Sequence, residues 1–217
     1  MTELSLSRSR VDSATQRSQL SRMTDAPPVI FYFDYVDPGS YLLERQLQRV
    51  LPEEVVLIRH PYELCSVPDP PLDAESPEWA TYCKVVGDLA EEIGLRLAHP
   101  LFLPWSRKAH ELRLHAVEKG VEEPLHQALL AARFEDGADV GRIDVLVGVA
   151  DSVGLDVSES KVVLDVDRHA DAVADLRRQA EAAGIRRTPT LRVGSANLEG
   201  PARIDDLRGF LEGALPS

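Results

Sequence analysis

The sequence predicts an α/β protein: a mixed four-stranded sheet whose strands come from the two ends of the chain, with an all-helical segment inserted between them. Three observations carry this. Val29 to Phe33 and Val55 to Arg59 are β-branched or aromatic runs joined by a helical pattern, a β-α-β unit whose strands lie parallel through a right-handed crossover. Thr190 to Val193 and Ala196 to Glu199 flank the turn pair Gly194-Ser195 and precede a closing helical pattern, giving β-β-α. Between the two ends the periodicity is helical only. The chain therefore divides into a tail (1–28), a sheet domain (29–75 and 166–217) and a helical insertion (76–165).

The elements follow in order. Residues 1–28 are rich in Ser, Arg, Thr and Gln and have no apolar core of a secretory signal. We expect either a disordered tail or a true start at Met23, directly before the first strand. After that strand, Asp37-Pro38-Gly39-Ser40 opens a helix running to Val50. Asp37 suits the N-cap and Pro38 the first helical position, where its missing N–H costs nothing. Pro52-Glu53-Glu54 leads into the second strand. A Pro/Asp-rich loop, Val67 to Asp73, separates it from the insertion. Ser76-Pro77-Glu78 starts a helix whose stripe is Trp79, Tyr82, Cys83, Val86, Leu89, Ala90 and Ile93, ended by Gly94. Further helices are expected over Ser106–Lys119, Glu122–Phe134, Gly141–Val153, Ser158–Val163 and Asp167–Ala183. The closing helix is expected over Ala202–Leu215.

Composition narrows the function classes. The net charge of −12 argues against a general nucleic-acid binder and against an anionic membrane surface as partner. No run reaches the roughly 18 apolar residues of a membrane span. Cys65 and Cys83 lie eighteen positions apart, neither a CxxC nor a zinc spacing, and read as reduced thiols of a cytoplasmic protein. No His/Asp/Glu cluster shows ligand spacing, so no metal is expected. The oligomeric state stays open, a homodimer included.

The motifs carry a resemblance. Thr188-Pro189 before the third strand, within that element order, resembles the thioredoxin fold with the helical insertion of the DsbA family. Phe31-Tyr32-Phe33-Asp34-Tyr35, followed by Asp-Pro-Gly-Ser-Tyr, resembles the FrnE-like and 2-hydroxychromene-2-carboxylate isomerase branches. Pro104-Trp105-Ser106-Arg107-Lys108-Ala109-His110 is similar to their middle segment, and Phe134 to Val140 to their Phe-x-x-Gly-x-Asp-Ile turn. Gly184 to Thr190 is similar to their Gly-Val-x-Gly-x-Pro-Thr step. The resemblance implies a cis Pro189 facing Asp37 and Ser40, the positions of a redox Cys pair. It points to Asp37 and Ser40 as the catalytic positions, and to Tyr35, Pro38, His99, Trp105, Arg187, Thr188 and Pro189 as ligand-binding.

The chemistry at that place has changed. Disulfide exchange needs a thiolate and a resolving thiol, and neither Asp nor Ser takes part in it. Asp37 reads either as a plain N-cap or as a general base or ligand carboxylate. Ser40 reads as an ordinary helix residue, and His60, His99 and His110 as surface or supporting residues. We expect a diverged, non-disulfide activity or a binder of a small molecule or peptide, with no cofactor. The alternative is a glutathione-dependent isomerase or transferase of the 2-hydroxychromene-2-carboxylate or kappa type. There Asp37 would replace a serine, and a carboxylate beside a thiolate opposes its ionisation. A third reading is a non-catalytic interaction protein.

Overall fold

The computed structural model describes residues 27–70, 72–98 and 102–216. The expectations for a tail or a second start fall on residues 1–26, outside that range. The described elements are β1 (Val29–Phe33), α1 (Pro38–Val50), β2 (Leu57–Pro61), α2 (Pro77–Glu92), α3 (Arg107–Lys119), α4 (Glu122–Phe134), α5 (Ile143–Ser152), α6 (Val157–Asp165), α7 (Ala170–Ala182), β3 (Thr190–Val193), β4 (Ala196–Glu199) and α8 (Ile204–Ala214). The fold is α/β and thioredoxin-like, with a mixed four-stranded sheet in the order β2-β1-β3-β4. β1 pairs with β2 in parallel, Val29 opposite Leu57, and with β3 antiparallel, Phe31 opposite Leu191. β3 and β4 form the hairpin at Gly194, whose φ of 57° is one that glycine adopts without strain.

β2 starts two residues later than the β-branched run suggests. Val55 is taken into the turn after α1, its N–H bonded to the Pro52 carbonyl. Pro61 is tolerated because β2 is an edge strand and Pro61 ends it. α7 likewise starts at Ala170 and not Asp167. Asp167 adopts a φ of 53°, and its carbonyl closes a turn onto Ala170 N.

One apolar cluster runs through both sheet and insertion. Phe31, Phe33, Leu43 and Leu191 join Leu112, Leu125, Leu129 and Leu146 in it. The insertion is therefore not a separately packed lid. A second cluster packs Leu42 of α1 against Val86 and Ala90 of α2. That contact sets α2 alongside α1 and brings the start of α2 over the N-terminus of α1.

A buried polar chain stitches the same elements. Glu44 of α1 is fully buried and takes a forked pair of hydrogen bonds from Arg59 of β2, at 2.6 and 3.0 Å. His126 Nε2 lies 3.4 Å from the same carboxylate, and His126 Nδ1 is 3.0 Å from the Tyr35 hydroxyl. Burial raises the cost of the Glu44 charge, but His126 and Arg59 outweigh it and hold its pKa well below the ordinary value. A carboxylate with a depressed folded pKa stabilises the fold above its unfolded pKa, and that contribution is lost as pH falls. Glu44→Gln should therefore cost about 3–5 kcal/mol at pH 7 by leaving Arg59 without its buried partner. The gap to wild type should shrink below the unfolded value of 4.5. Urea denaturation at pH 7 and pH 3 measures both, and a gap that does not change with pH would refute the assignment.

Candidate functional site

The site builds up from the end of β1. Asp37 is the N-cap of α1, with extended backbone, and its carboxylate accepts from Gly39 N at 3.0 Å and Ser40 N at 3.1 Å. Two hydroxyls complete it. Ser40 Oγ donates to Oδ2 at 2.6 Å, and Tyr82 Oη, reaching over from α2, donates to Oδ1 at 2.6 Å. The Thr188 hydroxyl interacts favourably with the same carboxylate without meeting hydrogen-bond geometry. Asp37 is fully buried. Burial pushes its pKa above the usual carboxylate range, against these donors.

The Thr188–Pro189 peptide is cis. Pro189 packs on Gly39 so closely that a Cβ there would sit 2.9 Å from Pro189 Cδ and 2.2 Å from Tyr82 Oη. Glycine is required at 39 by this three-way contact, not by its backbone angles.

The structure brings together Asp37, Pro38, Ser40, Thr188 and Pro189, and separates the rest. Ser40 is more than an ordinary helix residue: besides donating to Asp37 it accepts from Asp34 N at 3.2 Å. Tyr35 is not positioned to bind a ligand. It is fully buried between Phe33, His110 and His126, and its hydroxyl is taken by His126. Trp105 lines a different cleft with Val67, Phe102 and Arg142, and its indole N–H donates to the Asp69 carbonyl. Arg187 is a surface residue paired with Glu199 at 3.7 Å. His99 lies outside the described residues. His110 is not at the surface but fully buried, 3.2 Å from Asp34. His60 is half-buried.

One of the open spaces lies beside Asp37. A cavity of about 220 Å³ is bordered by Pro38, Trp79, Cys83, Leu103, Arg133 and Phe134. Sequence reasoning placed Trp79 and Cys83 on an apolar stripe and did not single out Arg133. The signal was there: Arg133 follows Leu125 and Leu129 at helical spacing on the buried face of α4. Its guanidinium donates to the Phe102 and Ala138 carbonyls and lies 4.8 Å over the Phe102 ring. Asp34 and Asp139 favour its charge from a distance, but Asp34 is engaged by His110 and Asp139 by Gly141 N. No carboxylate pairs with it directly among the described residues. Burial lowers its pKa to about 10, so it keeps its charge at neutral pH.

The two cysteines are both unpaired. Burial, then the Asp37 charge, pushes Cys83 above the ordinary thiol value, and burial and Asp69 do the same to Cys65. Neither thiol is activated. Among the described residues no helix is long and apolar enough to cross a membrane.

The DSBA-like thioredoxin domain family matches residues 28–212. This chain belongs to that family. The DsbA-like chain is 26% identical over 180 residues to YwbO of Bacillus subtilis, covering 80% of this chain and 90% of that protein. Its fold superposes on a probable DsbA oxidoreductase from Streptomyces coelicolor with a TM-score of 0.73, at 23% identity over 87% of this chain and 89% of that one. A 2-hydroxychromene-2-carboxylate isomerase superposes with a TM-score of 0.68, at 20% identity over 85% of this chain and 94% of that one.

Two outcomes follow from the Asp37 environment. A carboxylate with a raised folded pKa binds its proton more tightly when folded, so its contribution to stability falls as pH rises from the unfolded value of 3.8. Asp37→Asn does not titrate, so the stability of wild type relative to this variant should decline between about pH 4 and neutrality. Paired denaturation curves measure it, and a difference that grows with pH would reverse the assignment. Gly39→Ala should lose about 1–3 kcal/mol through overpacking. An unchanged urea midpoint would mean that Tyr82 and Pro189 yield freely.

Proposed function

We propose that this DsbA-family protein binds a small apolar or aromatic organic acid in the cavity beside Asp37 and has no dithiol chemistry of its own. The observation that carries this is Arg133, a buried guanidinium at the wall of an aromatic cavity with no carboxylate paired to it. Buried charges are normally paired, because an unpaired one forfeits its hydration. An acid whose ring lies between Trp79 and Phe134 would supply the missing partner. The cavity is smaller than the roughly 300–1,000 Å³ of drug-sized sites, so a single-ring or short-chain acid suits it. A relative in fold is named for an aromatic carboxylate substrate, 2-hydroxychromene-2-carboxylate. That fits the same ligand class and the FrnE-like or isomerase-like branch that the motifs resemble.

Disulfide exchange is disfavoured on chemical grounds. Asp37 and Ser40 stand at the two thiol positions, the Asp37 acceptors are filled, and Cys65 and Cys83 are raised in pKa. Glutathione is the second reading, since Arg133 could equally anchor one of its carboxylates. Asp37 opposes it, because it is sealed under Tyr82 and negative when ionised. We read the protein as cytoplasmic, in keeping with its reduced thiols.

Trp79 borders the cavity, so benzoate, cinnamate and salicylate titrations can be followed by its fluorescence in a Trp105→Phe background. Saturable binding that weakens at least about tenfold in Arg133→Gln, with circular dichroism showing that the variant is folded at the temperature of the titration, is the expected outcome. Calorimetry with millimolar glutathione should give no heat. Turnover in an insulin-reduction assay would overturn the reading, and so would aromatic-acid affinity indifferent to Arg133→Gln.

A further inference from the structure

A second site lies away from the Asp37 cavity, where α3 meets the start of α7. His115 and Glu118 are one helical turn apart on α3, and His169 stands just before α7. One ligand atom from each falls within 4.8 Å of the others. The Glu118 carboxylate is 3.8 Å from His115 Nδ1 and 3.8 Å from His169 Nε2, too far for hydrogen bonds. The His115 side chain is fully buried, yet neither ring nitrogen has a partner among the described residues. The same is true of His169 Nε2, whose side chain is 12% exposed. Buried polar atoms are nearly always satisfied, and here one unpartnered nitrogen from each ring faces the same carboxylate.

The setting suits a cation. The backbone of His169 is held toward α3 by its N–H donating to Glu111 Oε2 at 3.4 Å. The nearby Lys119 is neutralised by Glu159 at 2.8 Å, so it does not oppose a positive ion. Glu118 is half-exposed, which leaves an approach from solvent. Two imidazoles and one carboxylate are the donor set of zinc and neighbouring divalent metals, with water free to complete the shell. Ligand bonds of about 2.0–2.2 Å put ligand atoms roughly 3.4 Å apart, so each histidine must close on Glu118 by roughly 0.4 Å and on the other histidine by up to about 1.4 Å. Rotation of the exposed Glu118 side chain and adjustment of His169 at its helix end can supply that.

We propose that His115, Glu118 and His169 form a divalent transition-metal site that braces the inserted helix α3 against α7. This departs from the expectation of no metal. The His115–Glu118 spacing was visible in the sequence, but the third ligand comes from the other side of the insertion. The site is independent of the acid-binding cavity.

The test uses the full chain stripped with a chelator and titrated with zinc alone, against a chromophoric competitor. One equivalent should bind per chain, with a rise in thermal midpoint and, for cobalt, a visible absorption of tetrahedral type. Glu118→Gln, at an exposed position that does not threaten folding, should weaken zinc binding at least about tenfold, and His169→Ala likewise. Failure to bind zinc at micromolar free metal would overturn the proposal. So would binding of equal strength in both variants, which would place the metal on other side chains, the two cysteines included.

Discussion

The hydrogen-bonded carboxylate of Asp37 is the constraint around which this molecule is arranged. One side chain terminates α1, fixes the rotamer of Ser40 and holds the tip of Tyr82. Through Tyr82 it ties the first helix of the insertion to the first strand of the sheet domain. An N-cap alone is worth about 1 kcal/mol, but this one also places α2. With α2 placed, Trp79 and Cys83 face the space in front of Pro38, and Arg133 and Phe134 of α4 close its far wall. The cavity therefore owes its position to Asp37.

The interior holds two carboxylates that are equally hidden and electrostatically opposite. Glu44 has a forked guanidinium and an imidazole against it, and its charge is favoured. Asp37 has only neutral donors, and for it the cost of burial wins. The same logic separates the two buried arginines. Arg59 is matched by Glu44 and Glu123, and its pKa is raised. Arg133 has carbonyl oxygens and an aromatic face, and its pKa is lowered. Arg59 is part of the framework, whereas Arg133 lines the cavity with no carboxylate against it among the described residues.

Much of this was legible in the sequence, because the signals are local. The alternation of β-branched runs with helical stripes placed all four strands, and Asp37-Pro38 marked the helix start. What was misjudged depended on partners distant in sequence. The β2 run slipped because Val55 closes a turn, and α7 began late because Asp167 takes a left-handed backbone. The family resemblance pointed to Tyr35 as a site residue, yet its side chain goes to His126, ninety-one positions away. Trp105 belongs to another cleft for a similar reason, its indole held by Asp69. Tyr82 passed for one more apolar residue of a stripe, since nothing in α2 shows that its hydroxyl meets Asp37.

The tight meeting of Gly39, Tyr82 and Pro189 bears on how this lineage can change. Cysteines placed at positions 37 and 40 would not by themselves make a working thiol pair. The sulfur at 37 would lie under a tyrosine hydroxyl that had lost its acceptor, in a space shaped for two oxygens and closed to a partner disulfide. A thiolate there would need Tyr82 to leave as well, and Tyr82 belongs to the helix that carries Trp79 and Cys83. The helix end is thus committed to its carboxylate, and the helix that brings Tyr82 to it also walls the neighbouring cavity.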